Sequence, residues 1–144
     1  MNDQKWVAVW GCAPSIAEPR PARYAKNITL RYILRAPFDG TAIRLHFSNI
    51  GSDSPVTLSR VVAAPVTEGN IIDPAAAVTV TFKNENKGIL PAGGTLKSDE
   101  LPLAIKGGSD FAVSIYLEEL THMASGTNCT GPLSRAFFAE GSYA

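Results

Sequence analysis

The chain is predicted to be all-β, with two antiparallel sheets packed face to face as a β-sandwich of jelly-roll type. Three observations carry that expectation. Residues 29–49, TLRYILRAPFDGTAIRLHFSN, alternate with period two on both sides of Asp39-Gly40. Short alternating runs recur down the rest of the chain, punctuated by Gly, Pro and Asn turns. No stretch shows helical periodicity.

Residues 6–10, WVAVW, predict a first strand with Trp6, Ala8 and Trp10 on one side and Val7 and Val9 on the other. Both sides are apolar, so it is expected to be buried. Residues 13–23, APSIAEPRPAR, contain three prolines, which remove backbone donors. They predict an extended connection running to about residue 27. The hairpin follows: Leu30, Tyr32 and Leu34, then Ile43, Leu45 and Phe47, seek a core, while Arg31, Ile33 and Arg35, then Arg44, His46 and Ser48, face water. Asp39-Gly40 is the expected hinge, because both residues tolerate a left-handed backbone.

Polar residues 49–55 lead to a strand over 56–63, and residues 65–74 are expected to be a connection. Val78, Val80 and Phe82 alternate with Thr79 and Thr81, and KNENKG after them predicts a turn with left-handed residues. Pro91 marks an edge before the Gly93-Gly94 turn, and 95–99 are extended. Phe111, Val113, Ile115 and Leu117 alternate with Ala112, Ser114 and Tyr116 and predict a central core strand. Residues 118–132 are polar, and 135–140 predict a last strand whose facing the pattern leaves open, with Ala136 and Phe138 or Phe137 and Ala139 inward.

At 144 residues the chain is expected to be one domain, residues 1–144, with a single core. Lys plus Arg number 13 and Asp plus Glu number 13, so no net field favours nucleic acid or an anionic membrane. No apolar run approaches the roughly 20 residues that cross a bilayer, and MNDQKWVAVWG carries no export signal. A soluble protein is expected, cytoplasmic if Met1 is the native start and secreted if a signal peptide was trimmed before it.

Cys12 and Cys129 lack the second pair that a zinc site needs, so no metal and no cofactor is expected. Two readings of them remain: a bridge between neighbouring terminal strands, worth about 4 to 5 kcal/mol by loop entropy, or two buried thiols.

No G-x-S-x-G or S-x-x-K block is present, and Gly51-Ser52-Asp53 and Gly108-Ser109-Asp110 fall where turns are expected. His122 has Ser125, Ser109 or Asp110 as conceivable partners, with nothing in the sequence arranging them as a triad. Arg31, Arg35, Arg44 and His46 share the outward face of the expected hairpin. They form either a cationic strip for carboxylates or a sugar acid, or a solvated face. Trp6, Trp10, Tyr24 and Tyr32 offer a sugar-stacking platform or, more simply, core.

The blocks WVAVWGCAPS, LRYILRAPFDGTAIRLHFSN, ILPAGGTLKSDE and DFAVSIYL, in this order and spacing, resemble the region preceding the catalytic domain of bacterial SGNH (GDSL-type) hydrolases. The likeness runs from Trp6 to about Tyr143. Arg31, Arg35, Arg44, Ser48, Asn49, Ser98 and Asp99 match the family pattern. The resemblance implies a β-sandwich beside an esterase or lipase (acylhydrolase) fold whose Gly-Asp-Ser nucleophile lies downstream, so no catalytic residue is expected here. It makes the missing catalytic domain the expected partner, with a homodimer of this chain possible through the docking patch. The weak binding candidates are Arg31, Arg44, His46, Asn49 and Asp99, for which turn and strand-end roles are the simpler expectation. A carbohydrate-binding module is the alternative, and a small esterase using His122 with Ser125 or Ser109 is the third reading.

Overall fold

The computed structural model describes residues 5–12, 23–123 and 134–144. Among them the chain is all-β: β1 (Arg23–Ala25), β2 (Ile28–Arg35), β3 (His46–Ser48), β4 (Val56–Leu58), β5 (Arg60–Glu68), β6 (Ile71–Ile72), β7 (Val78–Thr79), β8 (Gly88–Leu90), β9 (Thr95–Lys97), β10 (Asp110–Leu117), β11 (Thr121–Met123) and β12 (Ser134–Glu140), with one 3-10 turn at Pro74–Ala76. Every pairing among these strands is antiparallel.

The main sheet runs β12-β2-β10-β5-β6, with β7 also on β5. Facing it is a second layer of short pairs, β3 with β9 and β4 with β8, continued by bridges from Gly40 to Ile105 and from Ile43 to Leu101. The core lies between. Leu34, Val61, Val80, Phe111, Val113 and Ile115 of the main sheet meet Leu58, Phe82, Leu101 and Ile105 of the opposite side. Each fully buried side chain of this size contributes about 1.5–3 kcal/mol, and together they fix the sandwich.

β10 is the central strand that its alternation predicts, and register explains its burial. Antiparallel partners share a sheet face, so Phe111, Val113 and Ile115 line up inward with Leu34, Tyr32 and Leu30 of β2. β12 resolves its open facing the same way: Phe138 lies opposite Leu30 on the inner side, and Phe137 opposite Arg31 on the outer. The polar turn after Phe82 is also as expected. Lys83 and Asn84 both take positive φ, closed by Phe82 N donating to Glu85 O at 2.8 Å.

The hairpin expected over 29–49 does not form. Its first arm is β2, paired with β10 and β12, while its second arm crosses to the other layer, where β3 pairs with β9. Neither Asp39 nor Gly40 takes positive φ. Gly40 is needed for closeness instead, since a Cβ there would come within 3.1 Å of Ile105 Cγ1. The backbone of this crossing is satisfied by a different neighbour: Ala36 N donates to Ser109 O, Gly40 N to Ile105 O and Ile43 N to Leu101 O, each at 3.0 Å. Alternation survives because both arms turn their apolar sides to the same core from opposite layers.

Four further expectations are corrected. Residues 5–12 form no strand, although Val9 and Trp10 pack against the core. The strand expected over 56–63 is broken at Ser59, so β4 belongs to the second layer and β5 to the main sheet. Residues 65–74 are not a bare connection. β5 continues through a bulge between Val66 and Glu68 and turns at Gly69 into β6. The expected connection over 13–27 holds β1 at its end, paired with β11, and residues 13–22 lie outside the described residues.

Candidate functional site

The outer face of the main sheet carries a connected group of polar side chains. Register places Thr29, Arg31, Ile33 and Arg35 of β2 beside Tyr116, Ser114, Ala112 and Asp110 of β10 on this face. Ser114 is wholly buried in the middle of an apolar strand, so its hydroxyl needs a partner. Arg31 supplies it: Nε donates to Ser114 Oγ at 2.7 Å, Nη1 to Asn70 O at 2.9 Å and Nη2 to Tyr143 O at 2.7 Å. One guanidinium therefore ties β10 to the tip of the β5–β6 hairpin and to the C-terminal segment.

Thr29 works on the same segment. Its Oγ1 donates to Gly141 O at 2.7 Å and accepts from Tyr143 N at 2.9 Å, while Gly141 N donates to Asn27 O at 2.7 Å. Burial lowers the Arg31 pKa, yet an arginine stays charged throughout, so these bonds are charge-assisted. At the other end of the face, Asp110 accepts from Arg35 Nε at 2.7 Å and from Arg135 Nη2 at 3.1 Å, stitching β2 to β12. The Arg35 hydrogen bond holds the Asp110 carboxyl below its usual range.

The four residues expected to share one outward face are divided between layers. Arg31 and Arg35 are on the outer face of the main sheet, whereas Arg44 and His46 belong to the second layer. Arg44 Nη2 donates to Glu100 Oε2 at 3.3 Å, and its guanidinium lies over the Trp6 ring, 4.1 Å from the centroid. His46 is exposed on β3, opposite Lys97.

Asn49 and Asp99 hold turns. Asn49 Nδ2 donates to Ser54 O at 2.8 Å and to Pro91 O at 3.1 Å, fastening two loops together. Asp99 accepts from Thr81 Oγ1 at 2.7 Å, Asn84 N at 2.8 Å and Lys83 N at 3.1 Å. Those bonds, the Asn84 amide foremost, keep its carboxyl ionised below the ordinary range and seat it under the left-handed turn. Ser98 Oγ accepts from Leu45 N at 2.9 Å and donates to Asp99 O at 2.7 Å.

His122 sits on β11 opposite Tyr24 of β1, with ring centroids 5.3 Å apart. Its nearest carboxylate is Asp53, Nδ1 to Oδ1 3.9 Å. Asp110 opens β10 and β11 follows its far end, so seven residue steps, roughly 23 Å of strand, separate the Asp110 end from the His122 end. Asp110 is in any case bound by two arginines. Ser125 lies outside the described residues. Cys12 is disulfide-bonded, and Cys129 lies outside the described residues. Among the described residues there is no group of three His, Cys, Asp or Glu side chains that could hold a metal ion, and no helix long and apolar enough to cross a membrane.

Sequence reasoning missed Ser114, Arg135 and Thr29, and named Asp110 only as a conceivable partner of His122. A usable signal existed for Ser114, since a hydroxyl centred in the run from Phe111 to Leu117 implies a buried polar partner. Nothing marked Asn70 or Tyr143, which contribute only backbone carbonyls. No protein-family model matches the chain, and no curated protein matches it.

Proposed function

We propose that this chain is a noncatalytic accessory domain of an SGNH (GDSL-type) esterase or lipase, supporting or docking a catalytic domain in the same polypeptide. The observation behind this reading is that most of the residues matching the family pattern are internal braces. Arg31, Arg35, Arg44, Asn49, Ser98 and Asp99 bond to the chain's own strands and turns at separate places in both layers. A pattern of that kind encodes a rigid support rather than one reacting centre. Reading the coding region in frame past Ala144 tests it: a Gly-Asp-Ser block is the expected result, and an immediate stop codon overturns it. The purified chain is expected to leave p-nitrophenyl acetate unhydrolysed above background; turnover that disappears in His122→Ala restores the esterase reading.

One observation favours carbohydrate binding as the second reading. Tyr24 is 63% exposed, its ring rests against His122, and the Asp53 carboxylate lies beside that imidazole. An aromatic face next to hydrogen-bonding groups is what a sugar ring stacks on. Saturable heat on titration with a polysaccharide, lost in Tyr24→Ala, establishes this role, and its absence across acidic and neutral glycans removes it.

A further inference from the structure

Residues 135–140 of β12 are all exposed, and among the described residues β12 has a single neighbour, β2. An edge strand offers a row of backbone donors and acceptors, and proteins normally guard it with proline, a bulge or an inward lysine. The seven residues Ser134–Glu140, SRAFFAE, contain no proline or lysine, and their register with β2 is unbroken. Instead they display two aromatics. Phe138 is 80% exposed on the inner side of the sheet, beyond the cover of the second layer, and Phe137 is 38% exposed on the outer side.

We propose that β12 pairs antiparallel with β12 of a second copy of this chain, joining two main sheets into one continuous sheet about a twofold axis. The strand is complementary to itself in that arrangement. Its midpoint is Phe137, so a twofold there pairs all seven residues: Phe137 meets its own counterpart on the outer face, and Phe138 meets the partner's Ala136 on the inner face, large against small. Ala136 lies opposite Tyr32 of β2, so the partner's Phe138 extends the apolar inner face past its present rim. Charge chooses the direction. Parallel in-register strands would set Arg135 against Arg135 and Glu140 against Glu140, like charges that the antiparallel register separates by placing them opposite Ala139 and Ser134. A formal net charge of zero leaves no overall repulsion between copies.

Sedimentation velocity of the intact chain over a concentration series is expected to show a monomer–dimer equilibrium. Phe138→Lys, at a site exposed in the single copy, should raise the dissociation constant at least about tenfold, as loss of a central aromatic anchor does. Phe137→Cys should give an interchain disulfide under mild oxidation, because the residue faces itself across the axis. Ile89→Cys, a more exposed position on β8, should not. A chain that sediments as a monomer at every concentration overturns the proposal and leaves the edge to some other partner. A dimer that persists in Phe138→Lys while Phe137→Cys fails to cross-link overturns it too, by placing the contact elsewhere.

Discussion

The inner face of the main sheet, with Leu34, Val61, Phe111 and Val113, is closed by apolar contact with the second layer. The outer face, one residue out of phase on the same strands, sets Thr29, Arg31, Ser114 and Asp110 among Ile33, Ala112 and Ala64. Apolar contact is non-directional and scales with area, so the inner face tolerates a broken second layer. Hydrogen bonding is directional, so the outer face selects particular atoms: Arg31 fits only because Asn70 O, Tyr143 O and Ser114 Oγ converge on it. Stability of the whole fold therefore belongs mainly to the inner face. Placement of the C-terminal segment belongs to the outer.

Removing a large inner side chain should have the largest effect. Phe111→Ala leaves a cavity at the centre of the core and is expected to cost about 3–5 kcal/mol, seen as a lower urea midpoint with an unchanged slope. A loss below about 1 kcal/mol would mean that the inner face collapses around the gap, contrary to a close-packed sandwich.

Arg31→Ala should come next, at about 2 kcal/mol, because it strands the buried Ser114 hydroxyl and releases two carbonyls. The loss should be local. Hydrogen exchange is expected to quicken at the amides of Gly141 and Tyr143, which bond to β2 and its preceding turn, while the amides of β10 keep their protection. Arg31→Lys keeps the charge but not the fork, so it should recover only part of the loss. Exchange that quickens equally along β10 and β5 would erase the distinction between the two faces.

A smaller effect should appear with acid. Asp110, Asp39 and Asp99 all have carboxyl pKa values lowered in the folded chain, chiefly by hydrogen bonds from Arg35, from Lys106 and from Asn84 N respectively. A lowered folded pKa means that the unfolded chain binds protons first, so the stabilisation is complete above the ordinary aspartate value of about 3.9 and is lost as pH falls through the folded values. Asp110→Asn should therefore reduce stability at neutral pH and flatten its decline below about pH 4. An unchanged acid limb in the variant would assign the acid sensitivity to the other two carboxylates.

How much of this was legible depends on whether a feature is local. The Lys83–Asn84 turn, the edge at Pro91 and the central place of β10 all follow from neighbouring residues and were readable as such. The crossing over 36–45 was not, because alternation states which side of a strand is apolar and says nothing about which strand lies beside it. Asp39 illustrates the point: Asp-Gly is a hinge signal in the sequence, yet in the fold Asp39 accepts from Gly107 N and Lys106 Nζ, both at 2.8 Å and both distant in sequence. The candidate site behaved alike. Arg31 was visible as a residue of interest, but two of its three partners are backbone carbonyls that no sequence pattern can mark.

The second layer supplies the smallest test, because Arg44 resembles Arg31 in sequence and differs from it in surroundings. Its guanidinium is partly exposed, with one carboxylate at 3.3 Å and the Trp6 ring at 4.1 Å, and among the described residues no buried hydroxyl depends on it. An exposed cation–π contact is worth at most about 1 kcal/mol, so Arg44→Ala should barely move the urea midpoint. It should nonetheless free the Trp6 indole, which tryptophan emission reports as a red shift once Trp10 is replaced by Phe to silence the second indole. Arg44→Lys, which keeps a cation over the ring, should retain most of the original emission. A loss of stability in Arg44→Ala as large as that in Arg31→Ala would show that the second layer also hangs on a single guanidinium, and apolar contact would then no longer suffice to explain how the inner face stays closed.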